Sequence, residues 1–416
     1  MKTWLKIGVR NLFKNKRRAL STMAAVSIGY AAANVFGGFA HYMFQGIEDA
    51  YIYSQANGHL AIYKKGFLKE GTTDLASYML TEEDVRAILE LCRSMPAVLV
   101  ATPRLFVNGL ISNGEVSTVF LATGHIPSDT RRIREALKSA LTLGKNYQGA
   151  DLDDSMPRGV GVSRGLAERL GLKIGDKAQV LAQTLEGQMN ALDVDVRSVF
   201  DAQAELLNDK MLNVPLALAQ KLYDAPGADR VVILLRDGRQ MGDAQARLQQ
   251  ACRRRGLAMD VRNWIEIDPN CANAGRMLRI VFGFIFAIVC VIVTLTVINT
   301  VSMAVFERIR EIGTLRALGL RQRGVNALFA IESALIGLFG SLGGGVLTLL
   351  VWAGVRIGKP MWTPPSMPQP VPLEVHLVPA YLLGTMAFLI VLAVLAAIFP
   401  SRRAARMSIV DALGHV

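Results

Sequence analysis

Two glutamates and three arginines crowd one short stretch of this chain: Glu307, Arg308, Arg310, Glu311 and Arg316. Glycines punctuate it at Gly313 and Gly319, and Ile309, Ile312, Leu315 and Leu318 recur at every third position. Such a set does not move protons. It offers an apolar stripe that needs an apolar partner, with Arg308, Glu311 and Arg316 placed to make polar contacts along its rim.

Motifs for covalent or nucleotide chemistry are missing. No GxxxxGK[ST], HExxH or GxSxG occurs, and no acid–base constellation stands out, so the chain is expected not to be an enzyme. The four cysteines are too few for a disulfide scaffold and show no CxxC or Cys/His spacing; no metal site is expected. Cys290 lies in an apolar run as a packing residue, while any pairing among Cys92, Cys252 and Cys271, such as a Cys92–Cys252 bridge, is left open. The five histidines are scattered singly. Glu332 is the one acid well inside an apolar run. A charge there is a candidate functional group. It also lies only about 12 Å from the start of the run, at about 1.5 Å per residue, where anchoring or snorkelling at the interface would explain it.

The elements that position these residues are apolar. The charged stretch is caught between runs at 280–305 and 325–355, each longer than the about 20 residues that cross a bilayer. Charge gives the orientation. Residues 1–18 carry seven Lys/Arg and no acid, 306–324 five Arg and two Glu, and 401–416 three Arg and one Asp, which together hold all of the +12 net charge. That clustering beside apolar runs follows the positive-inside bias and does not fit a nucleic-acid-binding face. The expected fold is a membrane α-helical protein with four transmembrane helices and a large α+β extracytoplasmic domain inserted between the first and second spans. In order these are a cytoplasmic amphipathic helix at 1–18, the first span at 19–45, the external domain at 46–275, the second span at 276–305, a cytoplasmic helix at 306–324, the third span at 325–356, an external loop at 357–377, the fourth span at 378–400 and a cytoplasmic tail at 401–416. Both termini are then inside.

Within 46–275 the pattern predicts α+β structure in two subdomains. A helix opens at Thr81 with an S/T-x-x-[DE] cap. Residues 98–107 and 110–123 read as β, with a hairpin turn at Asn113-Gly114. Helices are expected at 129–141, 163–170 (ended by Gly171), 215–223 and 242–255, and strands at 177–183, 190–200 and 230–235.

Arg310-Glu311-Ile312-Gly313-Thr314-Leu315-Arg316-Ala317-Leu318-Gly319 resembles the R-E-I-G-x-x-R-A-x-G signature of the FtsX-like permease family of ABC transporters, the superfamily of MacB, LolC, LolE and FtsX. Ile331-Glu332-Ser333-Ala334-Leu335-Ile336-Gly337 and the glycines of 340–345 resemble its third span. Pro400, Arg403-Ala404-Ala405 and Val410-Asp411-Ala412-Leu413 resemble its ending, with Ser408-Ile409 where a proline is usual. Arg10-Asn11-Leu12-Phe13-Lys14-Asn15-Lys16-Arg17-Arg18 is similar to its R-N-L-x-x-x-x-R entry helix. Gly58-His59-Leu60-Ala61-Ile62-Tyr63, followed by Gly66, resembles the start of the external domain in lipoprotein-releasing permeases.

The resemblance implies a non-catalytic permease of the bacterial inner membrane that binds no cofactor itself. ATP and magnesium would belong to a separate ABC ATPase dimer, docked on Glu307, Arg308, Arg310, Glu311, Gly313, Arg316 and Gly319. A second permease subunit, identical or paralogous, would complete the transporter. Lipoproteins or other lipid-like substrates would be extracted from the outer leaflet by mechanotransmission, entering between the first two spans past Ala33, Val35, Phe36, Phe39, Phe282, Phe284, Phe286 and Ile288. A periplasmic lipoprotein carrier is a further implied partner; nucleic acid is not. Efflux of small amphiphiles in a tripartite assembly, or FtsX-like transmembrane signalling, are the alternatives.

Overall fold

The structure, a computed structural model, describes residues 10, 16–71, 73–137, 147–202, 205–362 and 370–407. Most of the amphipathic helix expected at 1–18 lies outside the described residues. So do 408–416 of the tail, 363–369 of the external loop and the end of the helix expected at 129–141.

The first helix, α1 (Lys16–Asp49), runs on into a π-helical turn, Ala50–Ser54. Next come β1 (Leu60–Lys64), α2 (Glu82–Arg93), β2 (Val98–Ser112), β3 (Ser117–His125), α3 (Pro127–Glu135) and β4 (Tyr147–Gly149). They are followed by β5 (Gly159–Ser163), α4 (Arg164–Leu170), β6 (Lys177–Gln183), β7 (Met189–Phe200), β8 (Met211–Pro215) and α5 (Leu216–Tyr223). Then β9 (Arg230–Leu235), α6 (Met241–Arg254) and β10 (Met259–Asn263) lead to the long helices α7 (Pro269–Glu307), α9 (Gln322–Gly358) and α10 (Pro379–Arg406), with the short α8 (Ile309–Ala317) between the first two of these. Contacts divide the chain into two units, one holding residues 45–273 and 362–371, the other holding the described residues of 1–44, 274–361 and 372–416.

In the strand-bearing unit the sheet runs β10-β1-β9-β2-β3-β8-β5-β7-β4, and β6 pairs with both β2 and β7. Strands β2, β3, β8, β5, β7 and β6 therefore close a ring, so part of the expected α+β domain is a barrel. Closure depends on β2. The sequence suggested a break after residue 107, yet Asn108 and Gly109 continue the strand to Ser112. Its first half pairs with β9 up to Arg104, its second half with β3 from Leu105, and its last three residues also with β6. Gly109 permits this, because a Cβ there would lie 2.0 Å from the Leu181 carbonyl oxygen. The hairpin turn forms where expected. Asn113 Oδ1 accepts from the Glu115 and Val116 amides at 2.9 and 2.8 Å, and Gly114 takes φ +98°, a conformation glycine adopts without steric cost.

Two apolar cores flank β2. Val107, Ile111, Phe120, Val162, Val180, Val196 and Leu212 pack within the ring. Leu60, Ile62, Ile88, Leu91, Val231, Ile233 and Leu248 join β1, β9, α2 and α6. The helix expected after Thr81 is present with its full capping box: Thr81 Oγ1 accepts the Asp84 amide, and the Asp84 carboxylate accepts the Thr81 amide. Cys92 and Cys252 share the second core as free, buried thiols, so the bridge left open between them is not formed. Burial pushes the Cys92 thiol up to about 12, which makes it inert as a nucleophile. Cys290 is also free; the Cys271 side chain lies outside the described residues.

Among the described residues four helices are long and apolar enough to cross a membrane, at Lys16–Ser54, Asn273–Glu307, Gln322–Gly358 and Pro379–Arg403. Their packing follows the small residues, as expected where lipid removes the usual driving force between helices. A Cβ on Gly340 would lie 2.7 Å from Val26 Cβ, one on Gly344 2.7 Å from the Ser27 carbonyl, and one on Gly337 3.0 Å from Ile390 Cα. Thus α9 meets α1 along one glycine face and α10 along another. Val289, Val293, Val297 and Val301 form the buried stripe of α7, at the i+4 spacing of one helix face.

Candidate functional site

Between α7 and α9 the helix breaks at Arg308, whose backbone sits at φ −117°, ψ 18°. The next nine residues form α8, which closes at Gly319 with φ +96°. There the Gly319 amide bonds to the Arg316 carbonyl and the Leu320 amide to the Leu315 carbonyl, both at 3.0 Å. A glycine in this left-handed position ends helices routinely. The signature residues Arg310 to Gly319 are thus one short helix with its own stop.

Three side chains tie this segment to α1, to α9 and to the backbone just past α10. At the end of α7, Glu307 Oε1 accepts from Arg18 Nη2 of α1 at 2.7 Å. Arg308 Nη1 lies 3.4 Å from Glu332 Oε2 of α9, with both side chains about nine-tenths buried at 8% and 10% exposure. Arg316 Nη1 donates to the Met407 carbonyl just beyond α10. Glu332 does not snorkel outward; it turns in to the arginine at the helix break. Arg308, expected to serve the rim of the stripe, is among the most buried charges of the unit.

The i+3 stripe divides in two. Ile309 and Ile312 are buried in an apolar cluster that draws on α7, α9 and α10, with Val305, Val325, Phe329 and Ala396 among its members. Leu315 and Leu318 are exposed, the latter by 80%. Arg310, Glu311 and Thr314 are exposed beside them, and Gly313 is buried. The solvent-facing surface of α8 is therefore two leucines among charged and polar groups, large enough to anchor a protein contact and too small to be a core.

The expected substrate-wall residues come together in part. Phe36 stacks on Phe282 at 6.2 Å and 3° between planes, Phe282 on Phe286 at 6.1 Å, and Phe39 lies 6.4 Å from Phe36. Offset and tilted pairs at these separations attract through their ring quadrupoles. Phe388 of α10 extends the row, 5.3 Å from Phe286. Gly37 makes room for it, since a Cβ there would lie 3.1 Å from the Phe282 ring. Phe284 and Ile288 face outward instead, Ala33 is buried in the packing, and Val35 is half-buried.

Sequence reasoning missed Arg18, Phe388, His41 and His376. The two imidazoles lie 5.9 Å apart, with His41 also 6.1 Å from Tyr381 and His376 5.4 Å from Tyr42. The segment carrying His376 crosses α1 at Gly38, whose carbonyl accepts the His376 amide at 3.3 Å, and Tyr42 Oη donates to the Pro372 carbonyl at 2.5 Å. Gly37-Gly38 beside His41 and Tyr42 was the available signal, a small-residue step next to ring-bearing neighbours. Among the described residues no cluster of three or more His, Cys, Asp or Glu could hold a metal ion.

The chain matches the MacB-like periplasmic core domain over residues 19–251, more than half its length, and the FtsX-like permease C-terminal domain over residues 280–409. It is 26% identical over 361 residues to the lipoprotein-releasing system transmembrane protein LolC of Neisseria meningitidis, covering 80% of this chain and 82% of that protein. It is 27% identical over 210 residues to the pyoverdine export ATP-binding/permease protein PvdT of Pseudomonas entomophila, covering 50% of this chain and 30% of that protein. With the macrolide export ATP-binding/permease protein MacB of Brucella abortus it shares 25% identity over 287 residues, 67% of this chain and 43% of that protein.

Proposed function

This chain belongs to the family of the MacB-like periplasmic core domain, as an ABC transporter permease of the LolC, MacB and FtsX type, and on that premise we propose that it extracts lipoproteins or other lipid-like molecules from the outer leaflet of the inner membrane. Both termini and α8 lie in the cytoplasm, and the strand-bearing unit, inserted between the first and second spans, lies in the periplasm. A separate ATPase dimer docks on α8. A second permease subunit faces this one. The chain itself performs no covalent chemistry; it converts a push on α8 into movement of the long helices, and the second span passes that movement to the strand-bearing unit.

The observation that carries this reading is the exposure of Leu315 and Leu318 on a short helix held between two candidate spans. An apolar anchor rimmed by charges is how a small, specific protein contact is built. The row Phe39, Phe36, Phe282, Phe286 and Phe388 supports the substrate class, because it lays a continuous apolar surface across α1, α7 and α10. Each acyl methylene buried there is worth about 0.8 kcal/mol, so lifting a whole acylated anchor out of lipid requires the ATPase. A second reading, efflux of small amphiphiles, is favoured by the similarity to the export proteins PvdT and MacB.

Purification of the full chain from native membranes tests the proposal. It should bring down a P-loop ATPase in stoichiometric amount, and Leu318→Asp should release it. Mass spectrometry of the complex should find acylated protein; a bound small amphiphile would favour efflux, and no ATPase would overturn the permease assignment.

A further inference from the structure

Strand β10 ends the sheet, and among the described residues it pairs only with β1. Beside that pair the Trp264 amide bonds to the His59 carbonyl and the Lys65 amide to the Ala258 carbonyl. The even-numbered residues of this stretch therefore turn their backbone groups toward β1, and Met259 and Val261 turn theirs to the open edge. Groups so placed are a template for a further strand.

Here side chains of α6 have taken them. Gln249 Oε1 accepts the Val261 amide at 2.9 Å, and its Nε2 donates to the Met259 carbonyl at 2.8 Å. Gln245 Nε2 donates to the Val261 carbonyl at 3.0 Å, and Gln245 Oε1 is held by Asn263 Nδ2, also at 3.0 Å. The Met259 amide folds back on the Leu257 carbonyl. Gln245 and Gln249 stand one turn apart. Four helical residues rise about 6 Å, close to the about 6.8 Å between alternate strand residues, so one helix face can serve successive outward positions. A groove lined by Gln245, Gln249, Arg253, Arg262 and Glu266 follows this edge and leaves it accessible.

We infer that Gln245 and Gln249 are a guard that keeps β10 from pairing with the β10 of a second copy of this chain. The strand is self-complementary. Antiparallel pairing centred on Val261 sets Asp260 opposite Arg262 of the second copy, and Arg262 opposite Asp260 of the second copy. Opposite charges so placed attract. Both side chains lie on the face away from the core, 31% and 43% exposed, while Met259 and Val261 pack inward. The two copies would exchange the same Val261 amide and carbonyl that the glutamines occupy. Guard and pairing therefore exclude each other.

Pulsed electron-spin distance measurement on the full chain in detergent tests this. The label goes on Ala258→Cys, an exposed position, with Cys271 and Cys290 replaced by alanine; Cys92 and Cys252 are buried. In a pair centred on Val261 the two labelled backbones stand about 20 Å apart along the strands, at about 3.4 Å per residue. With both glutamines present, no such distance should appear at any protein concentration. Gln245→Leu with Gln249→Leu should produce it, growing with concentration. Adding Asp260→Arg to that variant should abolish it by setting like charges opposite each other. The distance found with both glutamines in place, or missing from the folded double variant, would overturn the inference, as would its persistence with Asp260→Arg. If the leucine variant fails to fold, Gln245→Ala with Gln249→Ala is read the same way.

Discussion

Ser27 of α1 donates its hydroxyl to the Gly340 carbonyl of α9 at 2.7 Å. That contact is open only because Gly340 and Gly344 present bare backbone. The two glycines, spaced as in membrane helix pairs, are spent on packing within one chain.

The first prediction follows. Gly344→Val drives its Cβ into Ser27 and Tyr30, each 2.7 Å away, and should cost about 1–3 kcal/mol as overpacking does. Gly345→Val, where nothing lies within 4 Å, should leave stability unchanged. Thermal unfolding of the two variants in the same detergent checks the contrast, and equal loss in both would refute the packing.

The buried pair makes a second. Glu332→Ala alone takes the acid from a buried pair and should destabilise the chain by about 3–5 kcal/mol, whereas Arg308→Met with Glu332→Leu should be close to neutral. The comparison of unfolding midpoints is decisive because the double variant removes more groups yet should lose less.

The third concerns pH. Burial pushes His59 down to about 4, against a weaker opposing pull from Asp237. Burial, then the Arg104 charge, pushes His125 down to about 3. Both fall below the ordinary value near 6.5, so below that pH the unfolded chain binds protons that the folded chain refuses. Stability should be full above about pH 6.5 and fall as pH drops, His59 contributing down to about 4 and His125 down to about 3. His59 Nδ1 accepts the Leu235 amide at 3.2 Å, a bond its protonation destroys. Hydrogen exchange of the β9 amides from pH 7 to pH 4.5 should show this loss, and a flat profile would contradict it.

A fourth separates the aromatic row from the rest of the wall. Phe282→Ala removes the ring stacked on both Phe36 and Phe286, and should weaken binding of a triacylated lipopeptide by about tenfold or more, from lost area and ring contacts. Phe284→Ala, whose ring is 68% exposed, should change binding less than twofold, which is about 0.4 kcal/mol. Fluorescence titration of purified protein gives both values.

How far the sequence could be read depended on the range of the signal. The Thr81 capping box, the Asn113-Gly114 turn and the stop at Gly319 are local, and each is found where its residues predict it. The apolar runs needed only length. Barrel closure was hidden because β2 serves three neighbours in succession, and nothing in its composition marks the change at Arg104. Strands β5, β8 and β10 are short and buried or edge-placed, with too few residues to declare a period. At the candidate site the signature exposed the helix, but the acid facing Arg308 lies 24 positions away and an acid in an apolar run also reads as a snorkelling anchor. The aromatic row was half legible, since the faces of α1 and α7 follow from helical spacing while Phe388 joins only through tertiary packing.

The account turns on which side of the membrane α8 occupies. Leu318→Cys and Met189→Cys place thiols at residues that are 80% and 67% exposed, one at the end of α8 and one in the strand-bearing unit. In intact cells a membrane-impermeant maleimide should label Met189→Cys and leave Leu318→Cys untouched until the inner membrane is opened. Labelling of Leu318→Cys from outside, with Met189→Cys protected, would reverse the orientation and remove α8 from the reach of any cytoplasmic ATPase.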